Sequence, residues 1–195
     1  WSFSHTDGPV LSQTDLFLLK PTLILNPVLT KSSPYNLVFD IATGAAGGYN
    51  ESSADRELEF SAAQREEPAT LPRVTHMYII TADSPWCTTV INPNGVTLGD
   101  VCNTLWHDYA DNPITEAELA ACPPRVQETI KRYAQSSMQP YGQIYSPAPN
   151  RLGLKRIDWL RDRHMFDLIA HDRTYADERL GFHAPNTFTM RVVNY

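Results

Sequence analysis

The chain has 195 residues, of which 42% are hydrophobic and 19% are charged, so it has the composition of a globular protein and the length of one domain. Sixteen lysines and arginines stand against 22 aspartates and glutamates, which gives a formal net charge of −6. That balance argues against non-specific binding to nucleic acid or to an anionic membrane surface. The longest apolar stretch, residues 15–29, is interrupted by two prolines, a lysine and an asparagine and is too short to cross a bilayer, so we expect no membrane partner.

The three cysteines, Cys87, Cys102 and Cys122, cannot all pair within one chain. Their spacings match no zinc-binding pattern, because such patterns contain a closely spaced cysteine pair that holds one ion. We therefore predict small buried side chains, no metal site, no cofactor and a cytoplasmic location. The glycosylation triplet Asn50-Glu51-Ser52 favours the alternative of a secreted protein, which stays open.

The first half of the chain is predicted to be rich in β-structure. Residues 1–22 show no regular hydrophobic period, and we interpret them as an N-terminal arm before a domain at residues 23–195. Within that domain, "LILNPVL" at residues 23–29 is a short extended piece and "YNLVFDIA" at residues 35–42 is a strand. "TGAAGG" at residues 43–48 lacks the lysine of a phosphate-binding loop, so it predicts a flexible turn. The polar residues 50–67 predict a surface loop, with a short helix within it as an alternative.

A β-hairpin and an amphipathic helix follow. "THMYIIT" at residues 75–81 and "WCTTVI" at residues 86–91 flank a turn signal and predict two antiparallel strands. Next, Thr97 is placed to cap a helix, with Asp100 at its third position. The helix carries a single stripe of apolar residues at helical spacing: Leu98, Val101, Cys102, Leu105, Trp106 and Tyr109. Each of these side chains has a packing reason to be there, so the segment predicts core, not an active site.

The second half of the chain predicts two more helices and three strands. Thr115 with Glu118 and then Pro124 are helix starts, and residues 136–150 form a long Pro-rich connection. "GLKRIDWL" at residues 153–160, "MFDLIA" at residues 165–170 and "TFTMRVV" at residues 187–193 are predicted strands. The sequence therefore predicts an α+β fold in a single domain, with a mostly antiparallel sheet and two or three helices packed on it.

The order of these segments resembles a fungal domain of unknown function, DUF6699, which is abundant in mushroom-forming fungi. The resemblance covers residues 23–193 and rests on the order and spacing of eight landmarks: "LNPVL", "LVFDIA", "EPATLP", "SPW", "GVTLGDV", "NPITEAEL", "GLKRIDWL" and "MFDLIA". It implies one compact α+β domain in a fungal protein. It supplies no activity, cofactor or catalytic residue that could be carried over to this chain.

The best catalytic candidates lie late in the chain. Acid–base hydrolysis or a metal-assisted nuclease reaction needs imidazoles, carboxylates that orient them and a cation for a developing anion. Residues of these types cluster here: Asp158, His164, His171, Asp172 and His183. On a helix, however, His164 and His171 would lie about 10 Å apart along the axis, which is too far for one metal ion.

Aromatic residues offer a binding site instead. Tyr141 and Tyr145 lie in the Pro-rich connection, and Trp159 is a third candidate, since large amphipathic rings dominate binding energies at interfaces. Because no reactive constellation is complete, we predict a non-enzymatic binding or interaction module with a protein or small-molecule partner. The alternative is a hydrolase or metal-assisted nuclease that uses the late histidines and aspartates.

Overall fold

The computed structural model describes residues 8–50, 52, 57–137, 153–182 and 184–194. The strands in these ranges are β1 (Val10–Leu11), β2 (Ile24–Leu25), β3 (Tyr35–Phe39), β4 (Ala46–Asn50), β5 (Leu58–Glu59), β6 (Thr70–Leu71), β7 (Arg73–Val74), β8 (His76–Ile80), β9 (Cys87–Ile91), β10 (Met165–Ala170) and β11 (Thr187–Val193). The helices are α1 (Gln13–Leu19), α2 (Ala62–Arg65), α3 (Leu98–Asp111), α4 (Glu116–Ala120), α5 (Pro124–Ser137), α6 (Arg156–Leu160) and α7 (Arg173–Leu180). No helix in the described ranges has the length and apolarity that a membrane crossing requires.

The described strands form four sheets. The main sheet has the order β10–β11–β8–β9, in which β11 and β8 are parallel and the other neighbours antiparallel. A second, antiparallel sheet contains β3, β4 and β5, while β2 pairs with β6 and β1 with β7. The predicted α+β class and the mostly antiparallel pairing are confirmed, and the strands are divided among several small sheets.

The amphipathic helix α3 is confirmed. Thr97 accepts a hydrogen bond from the Asp100 N–H at 3.1 Å, and Asp100 accepts the Thr97 N–H at 2.9 Å, so the two residues form a capping box. The predicted stripe is buried, except for the half-buried Trp106: Leu98, Val101, Cys102, Leu105 and Tyr109. It packs against β9, which together with β8 forms the predicted hairpin.

The two larger sheets meet along β10. The Ile41 N–H donates to the His164 carbonyl at 3.0 Å, and Asp40 forms an isolated bridge with Met165. Farther along, the Ile169 N–H donates to the Leu29 carbonyl at 2.8 Å. The outer edge of β10 is therefore covered by neighbouring main chain, and buried residues from both sheets join one hydrophobic core.

Two late helices differ from the sequence-based prediction. "GLKRIDWL" contains α6 instead of a strand, because Asp158 accepts the Lys155 N–H at 2.8 Å and so closes the first helical turn. No helix is predicted from the sequence after β10, yet the segment there forms α7. Asp172 begins that helix by accepting the Tyr175 N–H at 3.0 Å, and Gly181 ends it in a left-handed conformation.

Part of the predicted N-terminal arm is integrated into the fold. β1 pairs with β7, and α1 begins at a Ser12–Asp15 capping box.

The prediction for the cysteines was wrong in part, because only Cys102 is buried, while Cys87 is exposed and Cys122 is intermediate. All three thiols are free. Cys87 is exposed because alternate side chains of β9 point away from the helix that covers its other face.

Two adjacent glycines of β4, Gly47 and Gly48, allow a matched test of how closely β4 packs against β3 and β5. A Cβ at Gly48 would lie 2.3 Å from the Asn36 carbonyl oxygen and 2.6 Å from Cζ of Tyr35, whereas one at Gly47 would lie 3.3 Å from the Leu58 carbonyl oxygen. We expect Gly48→Ala to lower the free energy of unfolding by about 1–3 kcal/mol, a typical cost of overpacking. Gly47→Ala should change it by less than about 0.5 kcal/mol. Urea denaturation measures both, and equal losses would contradict this packing.

Candidate functional site

Two of the late histidines, His164 and His171, each have a structural partner. Nδ1 of His164 lies 2.8 Å from Oδ1 of Asp40, and both side chains are largely buried. Nε2 of His171 lies 2.9 Å from the Leu23 carbonyl oxygen, and its ring packs against Phe188 at a centroid distance of 4.8 Å. His164 and His171 flank β10 at its two ends, so each ring contacts a different neighbouring segment.

The predicted carboxylates have structural contacts too. Asp158 is buried and accepts a hydrogen bond within the first turn of α6, and Asp172 is the N-cap of α7. The remaining candidate, His183, lies outside the described residues. Within the described ranges, no group of three or more histidine, cysteine, aspartate or glutamate side chains could hold a metal ion. A catalytic role for these residues stays a prediction.

The aromatic candidates are placed in part. Trp159 is half-buried, and its ring meets the edge of Trp86 at a centroid distance of 5.1 Å. Trp86 in turn donates from its ring N–H to Glu118 at 2.6 Å, so Trp159 belongs to the packing between α4, α6 and the main sheet. The other two binding candidates, Tyr141 and Tyr145, lie outside the described residues.

The outer face of the β3–β4–β5 sheet forms a groove of about 720 Å³, here called the glycine groove. Because side chains alternate along a strand, residues paired across the sheet share a face, and Gly47 pairs with both Val38 and Glu59. Gly47 has no side chain, so the surface of the sheet forms a depression between the neighbouring side chains. The principal side chains around it are Val38, Tyr49, Glu57, Glu59 and Met165.

The glycine groove combines apolar walls with an acidic rim. Val38 and Tyr49 are exposed, at 37% and 40%, although both are large and apolar in part. Glu57 and Glu59 are exposed as well, and no lysine or arginine occurs among the residues that line the groove. The groove therefore suits a cationic group carried on an apolar stem.

A third carboxylate of the groove, Asp40, is held in its charged form. Burial alone would raise the pKa of Asp40. Hydrogen bonds from the Ala42 N–H, the His164 ring and the Thr43 hydroxyl outweigh that effect and hold the pKa of Asp40 below its ordinary value. His164 thus supports a negative charge at the rim of the glycine groove.

The groove was not predicted from the sequence. Adjacent glycines at positions 47 and 48 were interpreted as a flexible turn, whereas they lie in β4. One local pattern in the sequence is consistent with a hairpin at this place. A strand-forming segment ends at residue 42, and two glycines and Tyr49 follow it after a short turn. Only the register, which pairs Val38 with Gly47, shows that the residues face one surface.

Comparison with known proteins identifies one family. A model for a family of unknown function, DUF6699, matches residues 37–178. The chain belongs to the DUF6699 family. The matched region of this DUF6699 protein runs from β3 into α7 and includes every residue that lines the glycine groove. No curated protein and no solved structure matches the chain.

Asp167 on β10 shows how a late carboxylate contributes to the fold. Its side chain is 6% exposed and accepts hydrogen bonds from Lys31 and Arg191. Burial raises its pKa, but the hydrogen bonds and charges of these two cations outweigh burial and hold the pKa of Asp167 below its ordinary value. The ionised carboxylate therefore stabilises the folded chain.

We expect Asp167→Asn to lower the free energy of unfolding at pH 7 by about 1–2 kcal/mol, because both charge-assisted bonds are lost. The pKa of the folded wild type is depressed, so its advantage is fully present above the ordinary carboxyl pKa of about 4. The advantage should disappear as the pH falls through the lower, folded pKa. Urea denaturation from pH 7 to pH 3 measures the difference, and a difference that does not change with pH would contradict the assignment.

Proposed function

We propose that this DUF6699 protein is a non-enzymatic interaction module, and that its glycine groove binds a lysine or arginine side chain of a partner protein. The proposal rests on one observation: a sheet face with a missing side chain at its centre, apolar residues beside it and carboxylates around it. The side chains of Glu57 and Glu59, which form part of this rim, make no hydrogen bond or ion pair with other described residues. A cationic group of a ligand would form ion pairs with these two carboxylates.

A long basic side chain fits the groove along its whole length. Its methylene stem would lie over Gly47, between Val38 and the ring of Tyr49, and its charged end would reach Glu57 or Glu59. Stems of this kind cover apolar surface while their charge stays hydrated. The Tyr49 ring adds attraction for the cation, about 0.5–1 kcal/mol at an exposed site.

The alternative function, a hydrolase or nuclease, is favoured by one contact. The His164–Asp40 pair has the geometry of an imidazole oriented by a carboxylate, an arrangement that acid–base catalysis uses. However, three other candidates, Asp158, His171 and Asp172, have their own structural bonds. A cytoplasmic location also stays a prediction, which the three free thiols support.

The groove can be tested with small probes that resemble one side chain. We would titrate ¹⁵N-labelled protein with N-acetyl-lysine methylamide and with its neutral analogue, N-acetyl-norleucine methylamide. The lysine probe should shift the amide resonances of Val38, Gly47, Tyr49 and Glu59, and it should bind more tightly than the norleucine probe, because only the lysine probe carries a charge.

Two variants make the test specific. Gly47→Val fills the floor of the groove without a strained backbone and should abolish the shifts, and Glu59→Gln should weaken binding while the floor is intact. The amide spectrum of each variant shows directly whether it is folded. The proposal fails if the lysine probe shifts resonances elsewhere, or if folded Gly47→Val binds it as well as the wild type does.

A further inference from the structure

Within the part of the chain that the structure describes, the main sheet has one covered edge and one open edge. Main chain at Leu29 and Asp40 covers the edge at β10, whereas β9 is the last strand at the other end. Open edges are usually protected by a charge, a proline or a bulge, because their unpaired groups can bind a further strand. The sequence of β9, Cys-Thr-Thr-Val-Ile, contains no charge and no proline, and its pairing with β8 is continuous.

The register shows which groups of β9 face outward. The Asn92 N–H donates to the Thr75 carbonyl at 2.9 Å, so this pair is hydrogen-bonded across the β8–β9 ladder. Bonded and non-bonded pairs alternate in an antiparallel ladder, which makes Val90 and Thr88 the next bonded residues of β9. The N–H and carbonyl groups of the intervening residues therefore point away from β8, at Cys87, Thr89 and Ile91.

Helix α3 lies along this edge. Near the start of the helix, the Asn92 side chain donates to Asp100 at 2.6 Å; two turns later, the Thr88 hydroxyl donates to Asp108 at 2.5 Å. Between the helix and the strand is a groove of about 560 Å³, here called the edge groove. Six of its lining residues are Thr88, Thr89, Thr104, His107, Asp108 and Asp111.

The edge groove contains one carboxylate, that of Asp111, with which no described lysine or arginine pairs. Asp108 is paired with Arg156 and bonded to Thr88, so its charge is already compensated. The side chain of Asp111 is 63% exposed, and its carboxylate lies 2.7 Å from Nδ1 of His107, which carries a charge only when it is protonated. No lysine or arginine lines the groove.

We propose that β9 binds an extended segment of a partner protein as a fifth strand of the main sheet, with a lysine or arginine of that segment beside Asp111. Main-chain hydrogen bonds at Thr89 and its outward-facing neighbours would supply affinity, and the acidic helix face would supply selectivity. A second copy of this chain fits less well, because pairing β9 with itself would bring two acidic grooves together. The edge groove involves different residues from the glycine groove, so either proposal can fail alone.

The test uses peptides that differ only in charge or in main-chain donors. The probe is acetyl-TKTKTKT-amide, and the charge control is acetyl-TETETET-amide. We expect the lysine peptide to protect the amides of Cys87, Thr89 and Ile91 from hydrogen exchange, and we expect the glutamate peptide to bind at least about tenfold more weakly.

Two further probes test the main-chain donors of the peptide. Both have the sequence of the lysine peptide; one carries N-methyl groups on the backbone nitrogens of the lysines, and the other carries them on those of the internal threonines. Only one of these sets of nitrogens can face β9, so one methylated peptide should lose binding and the other should keep it.

Two variants test the protein side. Asp111→Lys should weaken binding of the lysine peptide, whereas Glu128→Lys, the same charge change at an exposed site on α5, should not. Thr89→Pro removes one outward-facing N–H donor and leaves the ladder with β8 intact. This variant should therefore weaken binding of both the lysine peptide and the glutamate peptide. If that variant does not fold, the methylated peptides still test the same contact.

Three results would overturn the proposal. One is the absence of protection in β9 at saturating lysine peptide, and another is equal binding by the two methylated peptides. The third is a dimer in sedimentation experiments whose formation protects the amides of β9 without any peptide, which would assign the edge to a second copy.

Discussion

The packing of α3 against the β8–β9 hairpin is the contact on which the rest of the structure depends. Its apolar stripe includes Leu98 and Leu105, both fully buried, and burial of one such side chain contributes about 1.5–3 kcal/mol. At the far end of the stripe, the Tyr109 hydroxyl lies 2.6 Å from Oγ of Ser84, and burial raises the pKa of Tyr109 to about 12, so the ring stays neutral. This contact fixes the helix beside β9 and thereby creates the edge groove.

Most of the ionisable groups that were catalytic candidates in the sequence make structural contacts in the fold. Asp158 and Asp172 bond the first turns of two short helices, which have few other sources of stability. Asp167 joins Lys31 to Arg191 across the sheet. What the fold leaves available is different in kind: the sheet face around Gly47 and the main-chain groups at the edge of β9.

The sequence predicted the elements whose signals are local and long. The periodicity of α3 and its Thr97–Asp100 cap could be identified without any tertiary contact, and so could the β8–β9 hairpin with its turn signal. The helix α6 could not be distinguished from a strand in this way, because five residues give too little periodicity and the deciding bond is made by one aspartate. Both grooves depend on which strands pair and in what register, which is non-local information. Of the aromatic candidates, Trp159 does not line either groove, and Tyr141 and Tyr145 lie outside the described residues.

The central proposal, that this protein binds a partner and does not use His164 or His171 in a reaction, is tested most directly by an activity survey. Purified wild type and the variants His164→Ala and His171→Ala would be assayed against a broad panel of ester, peptide, glycoside, phosphoester and nucleic acid substrates, with divalent metal ions added in parallel. We expect no activity that follows the protein through purification and is removed by either substitution. A hydrolytic activity of the wild type that one of these alanines abolishes, while the variant stays folded, would contradict the account.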